Sequence, residues 1–236
     1  MKQIILVIFL IFTFNSLNAQ NINFKDSNFK NALFENKIKI DLNNDGIIQV
    51  DEAEKVTDLN LMKKNISDIT EIKYFKNLKT LSLTNNNLKI LKVENLLFLE
   101  DLFCARNELE SLQLKNLPSL NKLWCGFNKL KTIKLEKFTN LESLSLNGNN
   151  IEEINITKFT KLKYLTIDNN KLSSLDISKN PELIQVIANN NNLKKIEITN
   201  NLKLQMHILY IDDNVEIIGN ESQLKSYKKA PTIIVK

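Results

Sequence analysis

Hydrophobic and polar residues alternate along this chain in a pattern that repeats every 21 residues. Six successive rows, the first beginning at Leu78 and the last at Leu183, fit LxxLxLxxNxLxxLxL without a gap. The alternation at the start of each row is typical of a short β-strand with one buried face. A single row buries little by itself, but stacked rows place equivalent residues about 4.8 Å apart on parallel strands. The pattern therefore predicts a solenoid whose core is made by stacking.

Each row carries an asparagine at the same place, eight residues after its first leucine. The six residues are Asn86, Asn107, Asn128, Asn149, Asn170 and Asn191. This position follows the strand at a bend, where a side-chain amide can bond to backbone groups of its own coil and of the adjacent coil. We expect an asparagine ladder that contributes to stability rather than to activity.

The rows at the two ends depart from this pattern. The row from Val56 is 22 residues long and has Lys64 in place of the asparagine, so it is interpreted as an atypical first coil. After Leu204 the pattern breaks, because His207 stands where the central strand leucine is expected. A shift of one residue restores the alternation and predicts a degenerate last coil at Ile208, Tyr210, Asp213 and Val215.

The repeat resembles the bacterial short class of leucine-rich repeats, sometimes called IRREKO, whose consensus is LxxLx(L/C)xxNxLxxLxLxxxxx. The similarity covers about residues 56–215. It implies an α/β repeat fold: a curved, right-handed leucine-rich-repeat solenoid with parallel strands on its concave face. Members of such repeat families serve in adhesion, host interaction and surface assembly, and the fold alone does not choose among these roles.

Two cysteines, Cys104 and Cys125, stand at equivalent positions of adjacent rows. Three other rows have Leu83, Leu146 or Ile167 there, so both side chains are predicted to point into the core. A disulfide is open to an exported protein. However, in-register Cβ atoms about 4.8 Å apart exceed the usual disulfide range of about 3.5 to 4.5 Å. We favour buried free thiols over a disulfide.

A twelve-residue segment ahead of the solenoid, DLNNDGIIQVDE at 41–52, matches the EF-hand calcium loop. It follows a predicted helix at 27–37 and precedes a brief one at 51–56, and so resembles a single EF-hand-like or dockerin-like loop. We expect one calcium ion, bound weakly, to cap the open end of the solenoid. The alternative is a polar turn that binds nothing. The candidate ligands are Asp41, Asn43, Asp45, Ile47 through its carbonyl, Gln49 through water, and Glu52 as a bidentate ligand.

The N-terminal segment has the composition of a secretory signal peptide. Lys2 precedes an apolar run at 4–14, and Ala19 is a suitable cleavage position. The run is shorter than the roughly 20 residues that span a bilayer. We predict a secreted protein, periplasmic or extracellular, without a transmembrane segment in the mature chain. The predicted organisation is a signal peptide at 1–19, a small helical N-terminal cap at 20–55, leucine-rich repeats at 56–215 in about seven coils plus a degenerate last one, and a C-terminal cap at 216–236.

Composition argues against several functions. The formal net charge is +5, but basic and acidic residues are interspersed and no basic run with interleaved aromatic residues indicates a nucleic-acid partner. The chain has one histidine, His207, and both cysteines are predicted to be buried. No Cys/His or Ser/His/Asp constellation can be assembled from these residues. We predict that the protein is not an enzyme.

The outward positions of the predicted sheet are not uniformly polar. Exposed aromatic residues mixed with arginine are typical of interface hot spots. We therefore predict a module that binds a protein or another macromolecule through its concave face. The alternatives are a structural envelope component without a specific ligand, which a uniformly polar face would favour, and surface aromatic residues without function. The candidate binding residues are Asp101, Phe103, Arg106, Lys122, Trp124, Phe127 and Tyr164.

Overall fold

The structure is a computed structural model that describes residues 20–135 and 137–229. The predicted signal peptide at 1–19 lies outside the described residues. Helix and strand bounds follow chain order: α1 (Ser27–Phe34), α2 (Val50–Ala53), β1 (Asp58–Asn60), β2 (Thr80–Ser82), β3 (Ile90–Glu94), β4 (Asp101–Phe103), β5 (Ser111–Lys115), β6 (Lys122–Trp124), β7 (Ser143–Ser145), β8 (Tyr164–Thr166), β9 (Gln185–Ile187), β10 (Lys195–Glu197), β11 (Leu209–Tyr210), β12 (Glu216–Ile218) and α3 (Glu221–Lys229), with 3-10 helices at Thr70–Tyr74 and Met206–Ile208.

The main feature of the fold is an eight-stranded parallel sheet in the order β1-β2-β4-β6-β7-β8-β9-β11. Each strand comes from a different coil, and Leu102 pairs with Leu123, which in turn pairs with Leu144. This 21-residue register confirms the predicted solenoid of parallel strands. Two smaller parallel sheets, β3-β5 and β10-β12, lie in the second halves of their coils. The helical part of the cap is minor, since α1 has eight residues and α2 has four.

The apolar positions of the rows form one continuous core. The central strand residues Leu81, Leu102 and Leu123 have no exposed surface, and Leu144 is 1% exposed. Their neighbours in sequence point to the other side of the sheet, because side chains alternate along a strand. The core therefore holds the outward residues of adjacent strands in register.

The asparagine ladder is present, and Asn128 shows its geometry. Its amide N–H groups donate to the carbonyl oxygens of Cys104 at 3.1 Å and Cys125 at 3.0 Å, and its Oδ1 accepts the Leu109 N–H at 3.0 Å. One buried side chain thus satisfies three backbone groups of two coils. The same set of bonds recurs at Asn86, Asn107, Asn149, Asn170 and Asn191.

Two buried asparagines outside the ladder were not predicted from the sequence. Asn180 and Asn201 replace a leucine or phenylalanine of earlier rows and have no exposed surface. The Asn180 amide donates to the carbonyl oxygens of Ile156 and Phe159, both at 2.9 Å. The signal was available as an asparagine at the same place in two successive rows.

Asp26 ties α1 to the first coil. Its Oδ1 caps the helix by accepting the N–H groups of Asn28 at 2.8 Å and Phe29 at 3.0 Å. Its Oδ2 accepts the N–H groups of Ser67 at 2.7 Å and Asp68 at 3.0 Å. Burial by itself raises the pKa of Asp26, but the hydrogen bonds from Ser67, Phe29 and Asp68 outweigh it and lower the pKa below its usual value. The carboxylate is therefore ionised at neutral pH.

The last strand differs from the predicted one-residue shift. Leu209 pairs with Val186 and Tyr210 with Ile187, so the pattern moves by two residues rather than one. The cause is the 3-10 helix at Met206–Ile208, which takes up the extra residues before β11. The ladder nevertheless ends in the original register, because Asp212 accepts the N–H groups of Asn190 and Asn191.

The expectation of free thiols is wrong, because Cys104 and Cys125 form a disulfide between adjacent strands. Both side chains are buried, as predicted. Their Cα atoms are 4.8 Å apart, which lies within the range of about 4.4 to 6.8 Å found in disulfides. The spacing of in-register parallel strands therefore does not exclude a disulfide between them.

Candidate functional site

The aromatic candidates meet on the outward face of β4 and β6. The Phe103 and Trp124 rings are 4.9 Å apart between centroids and inclined at 57°. The two residues are in register on neighbouring strands, and Trp124 is 45% exposed whereas Phe103 is half-buried. The predicted exposure is thus confirmed for Trp124 and holds in part for Phe103.

Polar contacts fix the orientation of this aromatic pair. The Trp124 indole N–H donates to the Ser143 hydroxyl oxygen at 2.9 Å. Beside the rings, Lys122 forms an ion pair with Asp101 at 3.0 Å across the same two strands. Rings held in this way lose little conformational freedom when a ligand binds, which favours affinity.

Arg106 and Phe127 form a second contact at the bends that follow β4 and β6. The Arg106 guanidinium lies 4.6 Å from the centroid of the Phe127 ring, a cation–π geometry. Both residues have a φ of 55°, a left-handed conformation that is uncommon for a bulky side chain. Gly148 occupies the same bend in the next coil, where an added Cβ would lie 2.9 Å from the Phe127 ring. The absence of a side chain at Gly148 leaves room for that ring, which is 48% exposed.

These contacts bring six of the seven candidates together in a surface called here the aromatic patch, and it consists of Asp101, Phe103, Arg106, Lys122, Trp124 and Phe127. The seventh, Tyr164, lies on β8 and is separated from Trp124 by β7. Because β7 presents only Ser143 and Ser145 on this face, Tyr164 and Trp124 stand on either side of a depression. The outward face is therefore amphipathic at its centre rather than uniformly polar.

Two grooves flank the Phe103–Trp124 pair. The first, of about 660 Å³, separates the sheet from the segment after α1, and Phe103, Ile38 and Met62 contribute apolar surface to it. The second, of about 410 Å³, is called here the Trp124–Tyr164 groove. The candidate Lys122 also lines this groove, and the lining residues that were not among the candidates are Ser143, Ser145, Thr166 and Gln185. They could have been identified from the sequence, because each stands two or four residues after the first residue of its row, in register with the candidates.

The predicted calcium loop has the turns that its sequence requires. Asp41 accepts the N–H groups of Asn44 at 2.8 Å and Gly46 at 3.0 Å, and Gly46 has a φ of 78°. Ile48 is buried, and residues 20–22 pair with residues 48–50 through the Ile22 N–H and the Ile48 carbonyl oxygen at 2.9 Å. The end of the loop is thus held by the first described residues of the cap.

The carboxylates of this loop bond to amide groups. Glu52 accepts the N–H groups of Leu42 at 2.7 Å and Gln49 at 3.0 Å. Asp45 accepts the Ile47 N–H, which lowers its pKa, and its Oδ2 accepts the side-chain amides of Gln49 and Asn43. No group of three or more acidic, histidine or cysteine side chains within residues 20–135 and 137–229 is arranged to hold a metal ion. Calcium binding therefore requires the amides of Asn43 and Gln49 to turn away from Asp45.

The described part of the chain contains no helix that is both long and apolar enough to cross a membrane. His207, the single histidine, is exposed on the 3-10 helix before β11.

Comparison with protein-family models and with the sequences of curated proteins gives no match, whereas many solved structures are similar. A leucine-rich-repeat protein of Leptospira interrogans is 26% identical, with a TM-score of 0.65 over 74% of this chain and 47% of that one. YopM, a leucine-rich effector protein from Yersinia pestis, is 24% identical, with a TM-score of 0.58 over 71% and 51%. Internalin C2 of Listeria monocytogenes is 21% identical, with a TM-score of 0.52 over 84% and 94%.

The chain has the leucine-rich-repeat fold. It spans about half the length of the Leptospira protein and of YopM. The fold predicted from the 21-residue repeat is thereby confirmed, and its structural neighbours are bacterial leucine-rich-repeat proteins.

Proposed function

We propose that this protein is an exported, non-enzymatic module that binds a protein or another macromolecule through the concave face of its solenoid. The observation that carries the proposal is the aromatic patch, in which exposed Trp124 and Phe127 are supported by Phe103 and Arg106. Aromatic and arginine side chains at the centre of an interface supply most of its binding energy. The patch lies on β4 and β6 and on the bends that follow them. Other strands of the eight-stranded sheet flank β4 and β6 on both sides, so a partner can also contact the sheet around the patch.

The similarity to bacterial leucine-rich-repeat proteins supports a role in protein interaction. Export rests on the predicted signal peptide at 1–19. The disulfide between Cys104 and Cys125 is compatible with an oxidising compartment.

Calcium at residues 41–52 is the second part of the proposal. Asp41, Asn43, Asp45, the Ile47 carbonyl, Gln49 and Glu52 would hold the ion, and an all-oxygen ligand set is the one that calcium prefers. The ion would fix the loop against the first coil.

The binding proposal is tested with the mature protein immobilised and exposed to surface and secreted macromolecules of its own organism. The double variant Phe103→Ala, Trp124→Ala should keep its fold and lose at least about 2 kcal/mol of binding free energy, the usual hot-spot threshold. The matched control is Leu97→Ala, Phe98→Ala, which removes exposed apolar side chains in a turn outside the eight-stranded sheet.

Two outcomes would contradict the proposal. If the double variant captures the same partner with unchanged affinity, the binding site lies elsewhere. If circular dichroism shows that the double variant is unfolded, the two rings belong to the core rather than to a binding surface.

A further inference from the structure

The Trp124–Tyr164 groove combines aromatic walls with a polar floor. Trp124 on β6 and Tyr164 on β8 are 45% and 44% exposed. Their strands are two steps apart in the sheet, or about 10 Å at the usual parallel-strand spacing. Ser143 and Ser145 of β7 lie between them, and their small side chains leave the groove open. The groove can accept a flat ring that contacts an aromatic side chain and the floor together.

The floor keeps hydrogen-bonding capacity for a ligand. The Ser143 oxygen accepts the Trp124 indole N–H, so its own O–H can donate to a ligand. The Ser145 hydroxyl donates to Asn147 Oδ1 at 3.0 Å, so its oxygen can still accept. The Thr166 hydroxyl and the Gln185 amide have no side-chain hydrogen bond to another described residue and line the same groove.

The groove carries no unpaired charge among these lining residues. Lys122 is the single ionised side chain of the lining, and Asp101 pairs with it at 3.0 Å. An anionic ligand would have to displace this carboxylate, and a cationic ligand finds no carboxylate in the lining. A neutral ligand is therefore favoured over a phosphate, a carboxylate or a basic peptide.

We propose that the Trp124–Tyr164 groove is a subsite for a neutral saccharide. A pyranose ring has an apolar face of C–H groups that packs on an aromatic ring, and a rim of hydroxyl groups that both donate and accept. The serine, threonine and glutamine side chains of the groove match that rim, and apolar walls with a few placed polar groups are typical of small-ligand sites. This inference rests on the proposed concave binding face and identifies a glycan as the part of the partner that enters it.

The experiment uses the fact that Trp124 is the only tryptophan of the chain. The mature protein is titrated with maltose, cellobiose, lactose and N,N′-diacetylchitobiose, each to about 50 mM, well above a millimolar Kd. Tryptophan fluorescence and titration calorimetry are recorded, with glycerol at equal concentration as a solvent control. We expect saturable binding of at least one disaccharide. Tyr164→Ala should weaken it about tenfold or more, whereas Phe98→Ala, a matched loss of an exposed aromatic ring outside the groove, should not.

The inference is overturned if none of the four disaccharides gives either a fluorescence change or a calorimetric heat beyond the glycerol control. It is also overturned if Tyr164→Ala and Phe98→Ala bind the sugar as tightly as the unchanged protein. Failure of the subsite and failure of the proposed function are distinguishable. If the Phe103→Ala, Trp124→Ala variant loses macromolecule capture but the unchanged protein binds none of the sugars, the proposed binding face stands and the saccharide subsite is rejected.

Discussion

At the scale of single residues, the asparagine ladder joins the backbones of neighbouring coils. Replacement of Asn128 by alanine leaves the Leu109 N–H without a partner in the interior. It also removes one of the two amide donors from the carbonyl oxygens of Cys104 and Cys125, which keep their bonds from the neighbouring ladder asparagines. Each buried group left unpaired costs about 1–3 kcal/mol. We expect Asn128→Ala to lower the free energy of unfolding by at least about 1 kcal/mol more than Asn150→Ala, measured by urea denaturation.

Asn150 is a matched control, because it lies one residue outside the ladder register and its side chain has no hydrogen bond to another described residue. A third variant, Asn128→Asp, separates shape from hydrogen bonding. It keeps the acceptor for Leu109 but faces the carbonyl oxygens of Cys104 and Cys125 with oxygen instead of N–H. Equal stability of the three variants would show that the ladder bonds contribute nothing.

At the scale of elements, the strands of the main sheet could be predicted and the connections could not. The period of 21 residues implied the register of β2 through β9, since stacking buries the core only if equivalent residues align. The strand β11 was displaced because the extra turn at Met206–Ile208 has no periodic signal. The calcium loop was predicted from its acidic spacing and stays a prediction. Its amide contacts could not be predicted, because they depend on side-chain orientations that a sequence does not contain.

The candidate binding site could likewise be predicted only in part. Trp124 and Tyr164 were selected because alternation in a strand places them outward, and Phe127 because it stands at an outward position of the same row after the strand. The grooves on either side of the aromatic pair were not, because they depend on which small residues stand in register two strands away. The disulfide was also missed, since strand spacing alone does not give the distance between two sulfur atoms.

The calcium loop gives the prediction that belongs to the element scale. Calcium that binds the folded state alone should raise the free energy of unfolding by about 1.4 kcal/mol at ten times the Kd. Asp45→Asn should remove this gain, because it deletes a charged ligand but keeps an oxygen for the Ile47 N–H. Asp51→Asn, which changes an exposed carboxylate outside the ligand set, should keep it.

Thermal unfolding in calcium and in chelator, for the unchanged protein and both variants, measures this effect. Identical melting temperatures in the two solutions, together with no calorimetric heat of calcium binding, would make residues 41–52 a polar turn. A calcium effect of equal size in Asp45→Asn would show that the ion binds elsewhere.

At the scale of the whole molecule, stability comes from contacts between neighbouring coils, as expected for a one-dimensional stack. The disulfide links the two coils that also present Phe103 and Trp124, the residues that directly precede the cysteines. It therefore strengthens the stack under the aromatic patch and holds β4 and β6 together where a ligand would bind.

Loss of this cross-link is the prediction at this scale. The disulfide closes a loop with a sequence separation of 21 residues, for which chain entropy gives about 3 kcal/mol of stabilisation. We expect a reductant to lower the free energy of unfolding by about that amount, measured by denaturant titration. Cys104→Ala, Cys125→Ala should be equally destabilised before any reductant is added and should not respond to it. Alkylation of both thiols in denatured, unreduced protein would show instead that the coils are held by packing and the ladder alone.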